Sequence, residues 1–297
     1  MELTQGVRFD TLGLSEPLMR ALEKKNYEVS TPVQAGAIPP MLAWKDVLAK
    51  APTGTGKTFA FGIPILEHIN PADDRVQAVI LAPTRELALQ ITEELRELAV
   101  YMEGVKIICC YGGQPIGKQI NALKRHPQII VATPGRFSDH MKRRTIKVDA
   151  VQTVVLDEAD RMLDMGFIHD VTRILDKIPH RRNLGLFSAT ISREVMDIAW
   201  VYQRDAEEIT VRAVEENKPD IVQYRVDTAA GDRVNVMLRI LEKEHYERVV
   251  VFCNTKGTVE RATKYLQMAG VEAECIHGDI PQTKRERVMQ RFRDGKL

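Results

Sequence analysis

The chain has 297 residues, 44% of them hydrophobic, which is enough for one large core or two ordinary ones and makes about two domains the expectation. Lys and Arg number 42 against 41 Asp and Glu, so a global positive field is excluded as the way of holding a nucleic acid; a polyanion has to be held by local groups. No apolar run approaches a membrane span and Met1 opens onto a polar stretch without a signal-peptide core, so a cytoplasmic chain with no membrane contact is expected.

Short apolar runs recur along the first two thirds: 46-DVLAK-50, 78-AVILA-82, 105-VKIICCY-111, 129-IIVAT-133, 153-TVVLD-157, 184-LGLFS-188 and 209-ITV-211. Between most of them lie stretches with helical spacing, such as 85-RELALQITEELRELAVYM-102 and 192-SREVMDIAWVYQ-203. Alternating strands and helices predict an α/β fold with a parallel sheet covered on both faces, since runs apolar on both sides suit its central strands. After residue 211 the composition shifts to 212-RAVEENKPD-220, charged and without an apolar face, which reads as a linker. A second, smaller series follows with 221-IVQYRVD-227, 249-VVVFCNT-255 and 273-AECIHGD-279 as strands, each before a helical pattern. Three strands make a thin sheet, so residues 221–297 read as a partial domain. Cys109, Cys110, Cys253 and Cys275 lack metal-ligand spacing and read as reduced packing residues.

Chemistry enters at 51-APTGTGKT-58, between a strand and a helix. That is where a phosphate loop belongs: glycines let the backbone approach an anion, and successive N–H groups with a helix N-terminus cradle it. Pro52, Thr53, Gly54, Thr55 and Gly56 form the cradle, Lys57 reaches the β- and γ-phosphates, and Thr58 binds Mg²⁺. Ala51 stands where the general pattern begins with glycine. Downstream, 153-TVVLDEADRML-163 carries Asp157, Glu158 and Asp160 to the mouth of a buried strand. A desolvated carboxylate needs a positive partner, and a metal-bound triphosphate supplies one. Asp157 then holds Mg²⁺ and Glu158 orients or deprotonates the attacking water. Asp164 and Asp170 read as solvated turn residues. Arg85 and Arg136 each open a helical pattern after a strand and a Pro-containing turn, where a guanidinium and exposed N–H groups hold phosphate oxygens; Gly112 and Gly113 let a sugar-phosphate chain lie on bare backbone. Ser188 and Thr190 end a further strand, where their hydroxyls either bond the acids or cap the next helix, the latter shared with Ser192.

The order 83-PTREL-87, 112-GG-113, 133-TPGR-136, 157-DEAD-160 and 188-SAT-190, downstream of the phosphate loop, resembles the DEAD-box family of ATP-dependent RNA helicases. The resemblance implies a RecA-like ATP-binding domain at 1–211, with 1–45 reading adenine, and a partial second RecA-like domain at 221–297. Its cofactors are ATP and Mg²⁺, with Lys57, Asp157 and Glu158 as catalytic residues. In 26-NYEVSTPVQ-34, Tyr27 lies beside the base and Gln34 bonds its edge, with Phe9 as the isolated upstream aromatic; the family usually has Gly at Asn26 and Pro at Ser30. Pro83, Thr84, Arg85, Gly112, Gly113, Thr133, Pro134, Gly135 and Arg136 grip RNA by its backbone, nearly blind to sequence. In the second domain, Thr255, Gly278, Gln282 and Arg285 join them. Asp160, Ser188, Ala189 and Thr190 couple hydrolysis to unwinding. His277 is assigned no chemistry, and 142-KRR-144 and 180-HRRN-183 read as solvated charge.

By the same resemblance, single-stranded or short duplex RNA is the partner, proteins recruit the chain to a ribonucleoprotein, and the chain acts as a monomer. The family's A-R-G-x-D and H-R-x-G-R-x-x-R segments, whose arginines reach the nucleotide, have no counterpart in residues 1–297, so this polypeptide is expected to bind ATP and hydrolyse it weakly. A non-catalytic ATP-dependent RNA clamp or scaffold and a DNA-directed helicase stand as the alternatives, with a plain metal-binding protein as the blandest reading.

Overall fold

A computed structural model describes residues 5–211, 221–229, 231–244 and 246–297, and the backbone alone at Gln282. The expected linker at 212–220 and the first four residues of the expected adenine segment lie outside the described residues. The chain divides into two compact units, residues 1–219 and 220–297.

In the first unit the strands are β1 (Val47–Lys50), β2 (Ala78–Leu81), β3 (Ile107–Cys110), β4 (Ile129–Ala132), β5 (Thr153–Asp157), β6 (Asn183–Ser188) and β7 (Glu207–Thr210). Its helices are α1 (Glu16–Lys24), α2 (Pro32–Leu42), α3 (Lys57–His68), α4 (Arg85–Leu98), α5 (Ile116–Leu123), α6 (Pro134–Lys142), α7 (Ala159–Asp164), α8 (Ile168–Asp176) and α9 (Arg193–Tyr202). All strands pair in parallel, in the order β3-β4-β2-β5-β6-β1-β7. Each expected apolar run of this unit is therefore a strand.

Alternation along each strand builds two cores. Ile80, Ile129, Val131 and Val155 face one side with Leu22, Ile38, Phe61, Ile91 and Leu95 from α1 to α4. Val79, Leu81, Ile130, Val154 and Leu156 face the other with Phe137, Met162, Ile174 and Ile198 from α6 to α9. A strand buried on both faces has no polar position to spare, which is why these runs read as continuously apolar. Because every strand is parallel, all of them end on one edge, and the following turns collect there.

Within the second unit, α10 (Arg233–Glu244), α11 (Lys256–Met268) and α12 (Gln282–Arg293) form as the periodicity predicts. The runs expected as strands at 221–227, 249–255 and 273–279 do not pair as strands among the described residues, which corrects that expectation. Apolar side chains there stand in solvent, Phe252 at 93% exposure and Ile221, Val222, Tyr224 and Val250 also exposed. A run of Val and Phe states what a strand would bury, but the strand exists only when a neighbour satisfies its backbone.

Candidate nucleotide and polynucleotide site

The turn after β1 holds Gly54 and Gly56 at φ +84° and +87°, the left-handed region that a Cβ disfavours. Gly56 is also the N-cap of α3, so the turn delivers the chain straight into a helix N-terminus. A Cβ at Gly56 would fall 2.5 Å from Gln34 Nε2, so the position is closed to larger residues twice over. Thr55 Oγ1 donates to Pro52 O at 2.8 Å and tightens the loop. Thr53 and Gly54 are exposed, Thr55, Gly56 and Thr58 half-buried, so the loop rim faces outward. Ala51, where glycine was expected, is buried and donates to Ser188 O at 2.9 Å, which ties β1 to β6.

Lys57 is 7% exposed and its Nζ donates to Ala51 O at 3.2 Å. Asp157, on β5, is 3% exposed and accepts from Glu158 N at 3.0 Å. Burial pushes its carboxyl up to about 6; Lys57 pulls against that and Glu158 adds to it. The three acids at the strand mouth diverge. Asp157 stays inside with Lys57. Glu158 adopts φ +50°, a strained value for a non-glycine residue, and pairs with Arg161 Nη1 at 3.1 Å. Asp160 turns to the end of β6: its N–H donates to Ser188 Oγ at 3.1 Å, and its Oδ2 accepts from Thr190 N at 2.9 Å and Thr190 Oγ1 at 2.7 Å. Burial raises the Asp160 carboxyl, but the Thr190 and Ser188 bonds outweigh it and the net shift is downward. Of the two uses open to the hydroxyls, Thr190 bonds the acid while Ser192 caps α9 by accepting from Val195 N at 3.4 Å; Ala189 lies half-buried between Ser188 and Thr190.

The upstream segment closes over the phosphate loop. Thr31 and Gln34 form a capping box at the start of α2, Gln34 Oε1 accepting from Thr31 N at 2.9 Å, while Gln34 Nε2 donates to Gly56 O at 3.0 Å. Each of those atoms keeps one further hydrogen-bonding direction, so Gln34 presents a spare acceptor and a spare donor side by side. Tyr27 is exposed, with its ring edge-on to Phe59 at 5.6 Å. Asn26 has φ +57°, which is why glycine is usual there and why Asn substitutes well. Ser30, standing where proline is usual, accepts from Val7 N through Oγ at 2.9 Å and donates its own N–H to Val7 O at 2.8 Å. Phe9 corrects the aromatic expectation: it is 1% exposed in the core, with no face left for a base, and its N–H donates to Glu28 O at 3.0 Å. That bond ties its backbone to the residue after Tyr27.

On the other half of the edge, after β2, β3 and β4, the glycine loop and two arginines come together. Arg136 Nη1 donates to Gln114 O at 3.0 Å. The Arg85 guanidinium lies on the loop so closely that a Cβ at Gly113, whose φ is +89°, would sit 2.2 Å from Nη1. Thr84 caps α4, accepting from Leu87 N, and Thr133 is the N-cap of α6. Pro83, Thr133 and Pro134 are buried in their turns, and Gly135 is half-buried beside Asp170. In the second unit, Thr255 caps α11 and Lys256 reaches both Gly278 and Asp279, with Lys256 Nζ 2.6 Å from Asp279 Oδ1. Gln282 and Arg285 lie on the first turns of α12, the side chain of Gln282 being outside the described residues.

Sequence reasoning missed some polar residues. The segment 180–183 is not solvated charge throughout: Arg181 is buried, its guanidinium donating to Ile178 O and Tyr202 O near Asp46, and Asn183 is buried on β6. Arg182 does lie at the surface, on the face of the Trp44 ring at 3.7 Å. Gln119 and His140 were also passed over, although each sits on the apolar stripe of its helix, Gln119 four residues before Leu123 and His140 three after Phe137. A polar residue on a buried stripe is a readable sign of an internal hydrogen bond.

Residues 31–198 match the DEAD/DEAH box helicase family and residues 232–297 the helicase conserved C-terminal domain. The chain is 44% identical over 289 residues to the DEAD-box ATP-dependent RNA helicase CshA of Geobacillus kaustophilus, covering 97% of this chain and 62% of that protein. It is 43% identical over 291 residues to the CshA of Bacillus subtilis, covering 98% of this chain and 59% of that one. The chain thus spans about three fifths of the length of these relatives. The crystal structure of a DEAD box protein from the hyperthermophile Methanococcus jannaschii superimposes with a TM-score of 0.67 at 37% identity, covering 99% of this chain and 79% of that one. With the family match spanning more than half of the sequence and its motifs lying along one edge of the parallel sheet, the chain belongs to the DEAD/DEAH box helicases.

Proposed function

We propose that the protein is an ATP-dependent RNA helicase: an RNA-stimulated ATPase that grips one RNA strand by its backbone and separates short duplexes. The observation that carries this reading is the division of a single sheet edge. The ends of β1, β5 and β6 and the turns after them bring Lys57, Asp157, Asp160, Ser188 and Thr190 to one half, and the turns after β2, β3 and β4 bring Arg85, Gly113 and Arg136 to the other.

The residues fit a magnesium nucleotide. A buried carboxyl lifted to about 6 beside a buried ammonium is a site whose charges await a partner of each sign, and the left-handed glycines place no side chain of their own over the backbone of the loop. Residues 52–58 cradle the phosphates of ATP and Lys57 holds their charge. Gln34 offers its spare donor and acceptor to the adenine edge, the pairing that an amide makes with N6 and N7, and Tyr27 packs beside the base. Glu158, fixed by its strained backbone and by Arg161, orients water and takes up its proton. Mg²⁺ held by Thr58 and Asp157 supplies neutralisation of the phosphate charge. Asp160, Ser188 and Thr190 join the ends of β5 and β6, so a shift at one acid is felt on the neighbouring strand.

Arg136 and Arg85, the latter lying on Gly112 and Gly113, meet phosphates rather than base edges, so binding is sequence-nonspecific. Residues 1–211 form the ATP-binding domain, 212–220 the linker and 221–297 the start of the second domain, which contributes Thr255, Gly278, Gln282 and Arg285. The protein acts in the cytoplasm as a monomer recruited by protein partners; among the described residues no helix is long and apolar enough to cross a membrane. The test compares ATPase stimulation by RNA and DNA strands of matched sequence, because contacts to the 2′-hydroxyl separate the two polymers. Stimulation by RNA alone is expected; equal stimulation by DNA overturns the assignment of substrate.

A further inference from the structure

Beneath the glycine loop runs a buried polar chain that neither half of the site uses directly. His140 on α6 is fully buried, and Gln119 on α5 is 2% exposed. His140 Nε2 lies 3.0 Å from Gln119 Oε1, and Gln119 Nε2 donates to Tyr111 O at 2.8 Å. On the far side of the ring, His140 Nδ1 lies 2.8 Å from Thr145 Oγ1. An amide oxygen only accepts, so Nε2 carries the hydrogen; the single hydrogen of the Thr145 hydroxyl is shared between Nδ1 and His140 O, which lies 3.1 Å from Oγ1. From Nε2 onward the bonds run in one direction and end on the carbonyl immediately before Gly112.

An apolar pair would fill the space between α5 and α6 without the cost of burying polar groups. What the polar chain adds is a fixed Tyr111 carbonyl. Residues 111–114 in turn set both guanidiniums, since Arg136 bonds Gln114 O and Arg85 lies on Gly113. We propose that Gln119, oriented by His140, is a positioning residue for RNA binding: it pins the start of the 111–114 loop and so fixes the spacing of Arg85 and Arg136 for successive phosphates, a role that rests on the helicase reading above.

The test uses the 297-residue chain, a fluorescent single-stranded oligouridylate, and a non-hydrolysable ATP analogue with Mg²⁺. Gln119→Leu is expected to weaken RNA binding roughly tenfold, the effect of one lost internal hydrogen bond of ordinary strength. Its affinity for the ATP analogue without RNA should be unchanged. His140→Gln, which keeps an N–H directed at Gln119, should bind RNA like wild type. In Gln119→Leu/His140→Leu both polar partners are gone, so thermal stability should recover while RNA affinity stays low. RNA affinity that recovers together with stability, or that is unaffected in a folded Gln119→Leu variant, overturns the positioning role alone. Failure of the wild-type chain to bind the oligonucleotide overturns the helicase reading and the positioning role with it.

Discussion

At Asp157 one carboxyl group is asked to be buried and charged together. Desolvation lifts it most, Lys57 pulls it back down, Glu158 adds to the rise, and the carboxyl stands at about 6. Lys57→Ala removes that offset and the proposed donor to the phosphates, so it should weaken binding of a non-hydrolysable ATP analogue by about 1.5–3 kcal/mol, or about 10- to 150-fold. Calorimetric titration measures this, with a cooperative melt as the check on folding. The pH dependence has a definite sign. Above about 6 Asp157 is charged and available to a cation; below it the group is neutral, so magnesium-dependent nucleotide affinity should fall as pH falls through about 6, and Asp157→Asn should lose that dependence. For folding the sign reverses: a carboxyl raised above its unfolded value of 3.8 contributes stability that is present below 3.8 and lost as pH rises through about 6. The site thus trades stability for a charge held ready for its ligand.

Among elements, the seven strands of the first unit were legible because burial on both faces leaves continuous apolar runs, and the turns after them were legible because glycine, proline and charge interrupt those runs. Strand order was not, since it depends on which way each crossover returns. That order sets Arg85, Gly113 and Arg136 side by side after the adjacent strands β2, β3 and β4. The exposed second-unit runs misled because a strand pattern names only one side of a pairing. Arg181 misled differently: a charge in 180-HRRN-183 looks solvated until α9 and the Asp46 turn close around it. Its guanidinium holds the carbonyls of Ile178 and Tyr202, and burial lowers its own titration against the pull of Asp46. Arg181→Met keeps the apolar stem but strips both carbonyls and leaves Asp46 less compensated. It should cost about 2–4 kcal/mol in urea denaturation without changing nucleotide affinity.

At the scale of the molecule, near-equal acidic and basic counts mean that no long-range field holds a polyanion, so the RNA affinity proposed above has to be assembled from a few local groups. The residues proposed for the nucleotide and those proposed for the RNA backbone occupy the two halves of one edge, with β2 and β5 adjacent at the boundary. The link on the nucleotide side is short: Thr190 gives Asp160 both a backbone and a hydroxyl hydrogen bond, and Ser188 accepts from the Asp160 N–H. If this link carries the nucleotide state, ATP analogue and RNA should tighten each other by one common factor, as linkage requires, of about 5- to 150-fold. Thr190→Val removes the hydroxyl bond at 2.7 Å and keeps the backbone one, so it should shrink the common factor while leaving the affinity for each ligand alone near wild type. Titrating the oligonucleotide with and without saturating analogue, and the analogue with and without saturating RNA, measures the factor from both directions. An undiminished factor in Thr190→Val would confine that hydroxyl to holding β5 against β6.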